Sequence, residues 1–218
     1  MIRTPEQKYA LLFEALKRSL LVIHRLRRRL STSLGEVEAL LRKRTTFEEQ
    51  AADALVDAIS LIDFLHRYGA LADALPLVPK RAKPLAKLRT TLVDVEVARN
   101  YLQHIRGDLS TNAGISYPVL GAVMWSTGPD AYNLQFSQAI EANLQAVFEV
   151  DRRGPLGPQS RLRFRCKDTI VKLDDAIAEV DNSYAWINDQ VKSDDPAFSE
   201  LKWGETLVLF LQGSQPAK

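Results

Sequence analysis

From Pro5 to Pro76 the chain contains no proline, and Pro76, Pro79 and Pro84 then fall close together before another long gap that ends at Pro118. A proline inside a helix removes a hydrogen bond and clashes with the preceding turn, so the two proline-free stretches are where long helices are permitted. Both also carry apolar residues at intervals of three and four, the period of a helix with one buried face. Three helices are therefore predicted in the first half.

The first covers about 6–30, with Leu12, Leu16, Leu20, Ile23 and Leu30 on one broad face. Arg25, Arg27, Arg28 and Arg29 lie near its end, where cations complement the helix dipole. Beyond residues 31–33 a short helical piece carries Val37, Leu40 and Leu41. The second helix covers about 46–68: Thr46 followed by Glu49 has the spacing of a capping box, Leu55, Ile59, Ile62 and Leu65 form the core stripe, and Gly69 is placed to end it. Residues 75–84 connect to a third helix over about 85–107, whose Leu85, Leu88, Leu92, Val95, Leu102 and Ile105 recur at helical spacing.

After Gly107 the texture changes. Glycine or proline stands at 114, 118, 121, 128 and 129 and again within 152–159, a turn density that suits short strands. One strand is expected over 119–125. Residues 160–166 alternate, with Leu162, Phe164 and Cys166 on one side and Arg161, Arg163 and Arg165 on the other, and 169–173 pairs with them as a hairpin. Asp174 then caps a helix of about 174–191 built on Ile177, Val180, Tyr184, Ile187 and Val191. The apolar run 207–211 is an edge strand or a docking tail. The expected class is α+β: a helical bundle over 1–110, then an extension over 111–218 packed on it, with strands in 119–173, the late helix and a C-terminal tail.

Composition narrows the function classes. With 46% hydrophobic and 26% charged residues and a net charge of +2, the 218 residues fit an ordinary soluble protein. Cys166 is the lone cysteine, so no disulfide forms within the chain and a reducing, cytoplasmic setting is expected. No apolar run is long enough for a membrane span, and the start reads as an amphipathic helix, not a signal peptide. Charge is uneven, since 19 basic against 13 acidic side chains fall in 1–110 and 10 against 14 in the remainder. Gly-rich phosphate loops, a dinucleotide fingerprint and a nucleophile elbow are absent. His24, His66 and His104 are widely separated and Cys166 has no CxxC partner, so neither a metal site nor a cofactor is expected. His24 and His66 read as structural residues, and Cys166 as a small core side chain.

One cluster carries chemistry. Glu96, Asn100, His104 and Asp108 are spaced by four, which stacks the first three on one face of the third helix, with Arg99 beside them. A histidine with an amide or carboxylate and a guanidinium nearby has the equipment to bind a phosphodiester and move a proton near neutral pH. Pairing of Arg99 with Glu96 is the structural alternative.

Arg99-Asn100-Tyr101-Leu102-Gln103-His104 resembles the RNxxxH signature of the HEPN superfamily, small helical domains that often act as RNases. The resemblance covers about 1–110. It implies a bundle that dimerises so that two such helices face each other across a cleft. It also implies metal-independent cleavage of single-stranded RNA, with Arg99 and His104 catalytic, Asn100 orienting them and Glu96 supporting. Many superfamily members are non-catalytic, so an interaction or ligand-binding module is the second reading. In the other half, Arg152, Arg153, Arg161, Arg163, Arg165 and Lys167 form the densest basic stretch; Arg161, Arg163 and Arg165 would stand about 7 Å apart, near the phosphate spacing of an extended strand, and would guide RNA. Charges that protect an edge strand are the structural alternative there.

Overall fold

A computed structural model describes residues 5–76, 78–111, 118–127, 130–136 and 161–194. Its elements are helices α1 (Pro5–Lys43), α2 (Glu48–Ala74) and α3 (Lys83–Thr111), strands β1 (Ala122–Thr127), β2 (Asp130–Gln135), β3 (Leu162–Cys166) and β4 (Thr169–Lys172), and helix α4 (Leu173–Asp194). The protein is α+β, as the change of period after the third helix predicts.

Helix α1 is one uninterrupted helix of 39 residues. The serines and threonine at 31–33 do not break it, because Leu30, Leu34 and Val37 continue its buried stripe and the packing outweighs a weak local preference. The Thr46 capping box is not formed: α2 starts at Glu48, with Phe47 in the capping position and no side-chain hydrogen bond there. Nor does Gly69 end α2, which runs on to Ala74. Gly69 instead lies under Leu92 of α3, where an added Cβ would stand 3.0 Å from Leu92 Cδ1. Its smallness serves close helix packing. Helix α2 packs on both α1 and α3, and α4 packs against all three.

The four strands form one antiparallel sheet in the order β2-β1-β3-β4. Strand β2 was not expected from the sequence; its half-buried residues give no clean alternation. The Arg-rich strand β3 occupies the middle of the sheet, between β1 and β4, so its charges do not guard an edge. Val123, Phe164 and Val171 are aligned across three strands and buried against the helices. Asp174 does not act as a cap. Its Oδ2 accepts a hydrogen bond from Leu162 N at 3.1 Å and its Oδ1 one from Arg27 Nε at 3.2 Å, tying α4 to β3 and α1.

Candidate functional site

Helix α3 is fixed on its inner side by Leu88, Leu92, Val95 and Ala98, all buried. Near its C-terminal part Tyr101 donates to Val119 O at 2.9 Å, which anchors that turn to the segment entering β1. With the inner face committed in this way, Val93, Val97, Asn100 and His104 share the opposite front, since steps of four, three and four residues return to nearly the same angle. All four are exposed. Val93 and Val97 are 53% and 48% exposed, a pair of branched apolar side chains left in water beside the two polar ones.

Arg99 lies about 100° round from Asn100 and is only 29% exposed. Its Nε stands 3.8 Å from Asp63 Oδ1 of α2, and its Nη1 is 3.5 Å from Asn100 Oδ1. Asp63 makes its short contact elsewhere, at 2.6 Å from Arg67 Nε through Oδ2, and the Arg67 guanidinium stacks on the Phe64 ring at 5.7 Å. Arg99 is thus steered by a carboxylate already engaged with another cation. Both of its own contacts are longer than a well-formed N–H···O bond, and Nε has no hydrogen-bond partner. The guanidinium is oriented with most of its donor capacity unspent.

Glu96 is exposed and makes no ion pair among the described residues, so Arg99 is matched with Asp63 across the helix interface and not with Glu96 along α3. At His104 the backbone leaves the helical region, with φ −109° and ψ 15°. The ring is exposed at this break. The side chain of Asp108 lies outside the described residues. Arg99 and Asn100 are therefore in contact, while His104 follows one turn later on the exposed front. Asp63 was missed in the sequence; its spacing of four from Arg67 on α2 was the available signal.

The other candidates separate clearly. Arg161, Arg163 and Arg165 project from the side of the sheet that faces away from the helices, and Arg152 and Arg153 lie outside the described residues. His24 Nε2 is 2.8 Å from Asp181 Oδ1, linking α1 to α4. Burial pushes the Cys166 thiol up to about 12, which suits a packing role and not a nucleophile. Among the described residues no group of three or more His, Cys, Asp or Glu side chains is placed to hold a metal ion, and no helix is long and apolar enough to cross a membrane. Comparison of the chain with protein families, curated proteins and solved structures finds no match.

Proposed function

We propose that the chain is a HEPN-like protein that cleaves single-stranded RNA without a metal, through Arg99, Asn100 and His104 of α3, as a homodimer in the cytoplasm. The observation that carries this reading is the state of Arg99: a guanidinium aimed by Asp63 through a long contact, with donors left for a phosphate. His104, exposed one turn further on, supplies the side-chain type best suited to proton transfer near neutral pH. In the reaction the 2′-hydroxyl oxygen bonds to the adjacent phosphorus as the bond to the 5′-oxygen breaks. His104 accepts the hydroxyl proton and returns one to the leaving oxygen, and Arg99 offsets the charge gathering on the phosphorane oxygens. The products are a 2′,3′-cyclic phosphate and a 5′-hydroxyl end. Asn100 keeps Arg99 and the reacting phosphate in register.

The test is incubation of purified protein with labelled single-stranded RNA in EDTA. Wild type is expected to cut, and Arg99→Ala and His104→Ala each to lower the rate by about 100-fold or more. Asn100→Ala is expected to slow cleavage without abolishing it. Equal cutting by wild type and His104→Ala would refute the reading. The Asp63 contact favours a second one, in which Arg99 is a structural cation and the bundle is a non-catalytic module; absence of cleavage under all conditions would select it.

A further inference from the structure

Residues 15–35 of α1 hold six lysines and arginines and no aspartate or glutamate. Three of the six serve the fold: Arg18 lies 2.7 Å from Glu14, Arg27 3.2 Å from Asp174 and Arg29 3.2 Å from Asp57. The other three, Lys17, Arg25 and Arg28, are exposed and make no ion pair among the described residues. At 100° per residue all three fall within about 40° of Leu21. Leu21 is 61% exposed, more than any other large apolar side chain described, and stands opposite Leu16, Ile23 and Leu30, which are buried. The same line continues through the small residues Thr32, Gly35 and Ala39 to the exposed Lys43. From Lys17 to Lys43 the crest of α1 is thus about 40 Å long, with four cations, one apolar side chain at its apex and no carboxylate; Glu36 stands about 60° round from it.

We propose that the crest of α1 rests on the surface of an anionic phospholipid bilayer. A flat surface touches a convex helix along its crest, and the unpaired cations of α1 are gathered there. Lys17, Arg25 and Arg28 meet the headgroup phosphates, and Leu21, between them, enters the boundary with the acyl chains, where burial of its exposed apolar area is favourable. Leu21 is what favours a bilayer over a nucleic acid, whose phosphates would engage the cations and leave the leucine in water. The small residues at 32, 35 and 39 let the rest of the helix approach without obstruction, and Lys43 adds a cation at the far end. No helix among the described residues is long and apolar enough to cross a membrane, so the contact is with the surface alone. Four cations and one leucine make a weak, reversible attachment, which two copies of the chain would strengthen. Helices α1 and α3 both pack on α2, and neither Arg99 nor His104 takes part in this contact.

Co-sedimentation with vesicles of phosphatidylcholine, alone or mixed with phosphatidylserine, tests the proposal on the full chain. Wild type is expected to partition onto the phosphatidylserine vesicles and not onto phosphatidylcholine alone, and to be released as salt is raised toward 1 M. Each Lys or Arg at such a surface raises partitioning about fivefold, so Lys17→Ala/Arg25→Ala/Arg28→Ala is expected to lower it about 100-fold, and Lys43→Ala about fivefold. Leu21→Ser should lower it several-fold with every charge kept, a loss that charge attraction alone does not produce. These side chains are exposed and lie off the core, so circular dichroism of the variants should match wild type. Wild type that ignores phosphatidylserine vesicles, or a triple variant that binds them as wild type does, would overturn the proposal. So would a triple variant that loses affinity for a 2′-O-methyl oligouridine in place of vesicles, which would assign the crest to RNA. Leu21→Ser that binds vesicles as wild type does would also overturn it.

Discussion

Asp57 is 1% exposed, and neither of its carboxylate oxygens makes a hydrogen bond. Arg29 Nη2, on a half-exposed side chain, is 3.2 Å away. Burial holds the Asp57 carboxyl above the usual range; Arg29 opposes the shift and Asp53 adds to it. Because the folded pKa exceeds the unfolded one, the native state binds the extra proton between the two values, and stability falls as pH rises through that window. The penalty is fully present above the folded pKa and relieved below the unfolded one. Asp57→Asn removes the charge with little change of shape. Its unfolding free energy in urea, relative to wild type, is expected to rise from pH 4 to pH 8; a constant difference would show that Asp57 does not titrate in this way. Arg29→Ala leaves the buried carboxylate without its counter-ion and should cost on the order of 2 kcal/mol near pH 7, less than a fully buried pair because Arg29 is half in water.

At the scale of elements, the β1–β2 hairpin is joined to the end of α1 by Glu38, with Arg42 one turn on at 4.0 Å from Asp130. Glu38 Oε1 accepts hydrogen bonds from Trp125 Nε1 at 2.6 Å and Thr127 Oγ1 at 2.7 Å, while the Trp125 and Tyr132 rings stack with centroids 5.1 Å apart. Glu38→Ala is expected to destabilise the protein by about 2 kcal/mol, since hydrogen bonds to a charged acceptor are the stronger kind, and to shift Trp125 emission. Unchanged urea midpoint and emission would deny this docking role. Such contacts also explain what the sequence could and could not tell. The long helices and the β3–β4 hairpin were legible because Leu16, Ile23 and Leu30, or Leu162, Phe164 and Cys166, repeat with the period of their element. Strand β2 and the uncapped start of α2 were not: Asp130–Gln135 has no alternation of its own and is a strand because it pairs on β1, its neighbour in sequence, and α2 starts after Phe47 with no side-chain cap to announce it. The Arg99, Asn100 and His104 spacing stood in the sequence, whereas the Asp63 contact joins residues 36 positions apart and arises only when α2 meets α3.

At the scale of the molecule, the front of α3 poses a question that one chain does not answer. Leu88, Leu92 and Val95 already fill the inner side of this helix, so Val93 and Val97, 53% and 48% exposed, are surplus to the fold. They line up with Asn100 and His104 on the same side, and a second copy approaching about a two-fold axis there would bury the valines and bring two sets of the polar residues together. Closed two-fold dimers are the commonest oligomers, and a self-complementary patch near the axis is buried twice over. Light scattering of the wild type is expected to return twice 24.5 kDa at micromolar concentration. Val93→Asp/Val97→Asp places four carboxylates at the axis of such a dimer and should reduce the mass to 24.5 kDa with the helical circular dichroism retained, because neither side chain supports the core. If the paired fronts form one cleft, that variant also loses RNA cleavage while keeping Arg99 and His104. A wild type that is monomeric at high concentration would refute self-association, and a dimer indifferent to both aspartates would move the interface away from α3; either would leave each front to act alone.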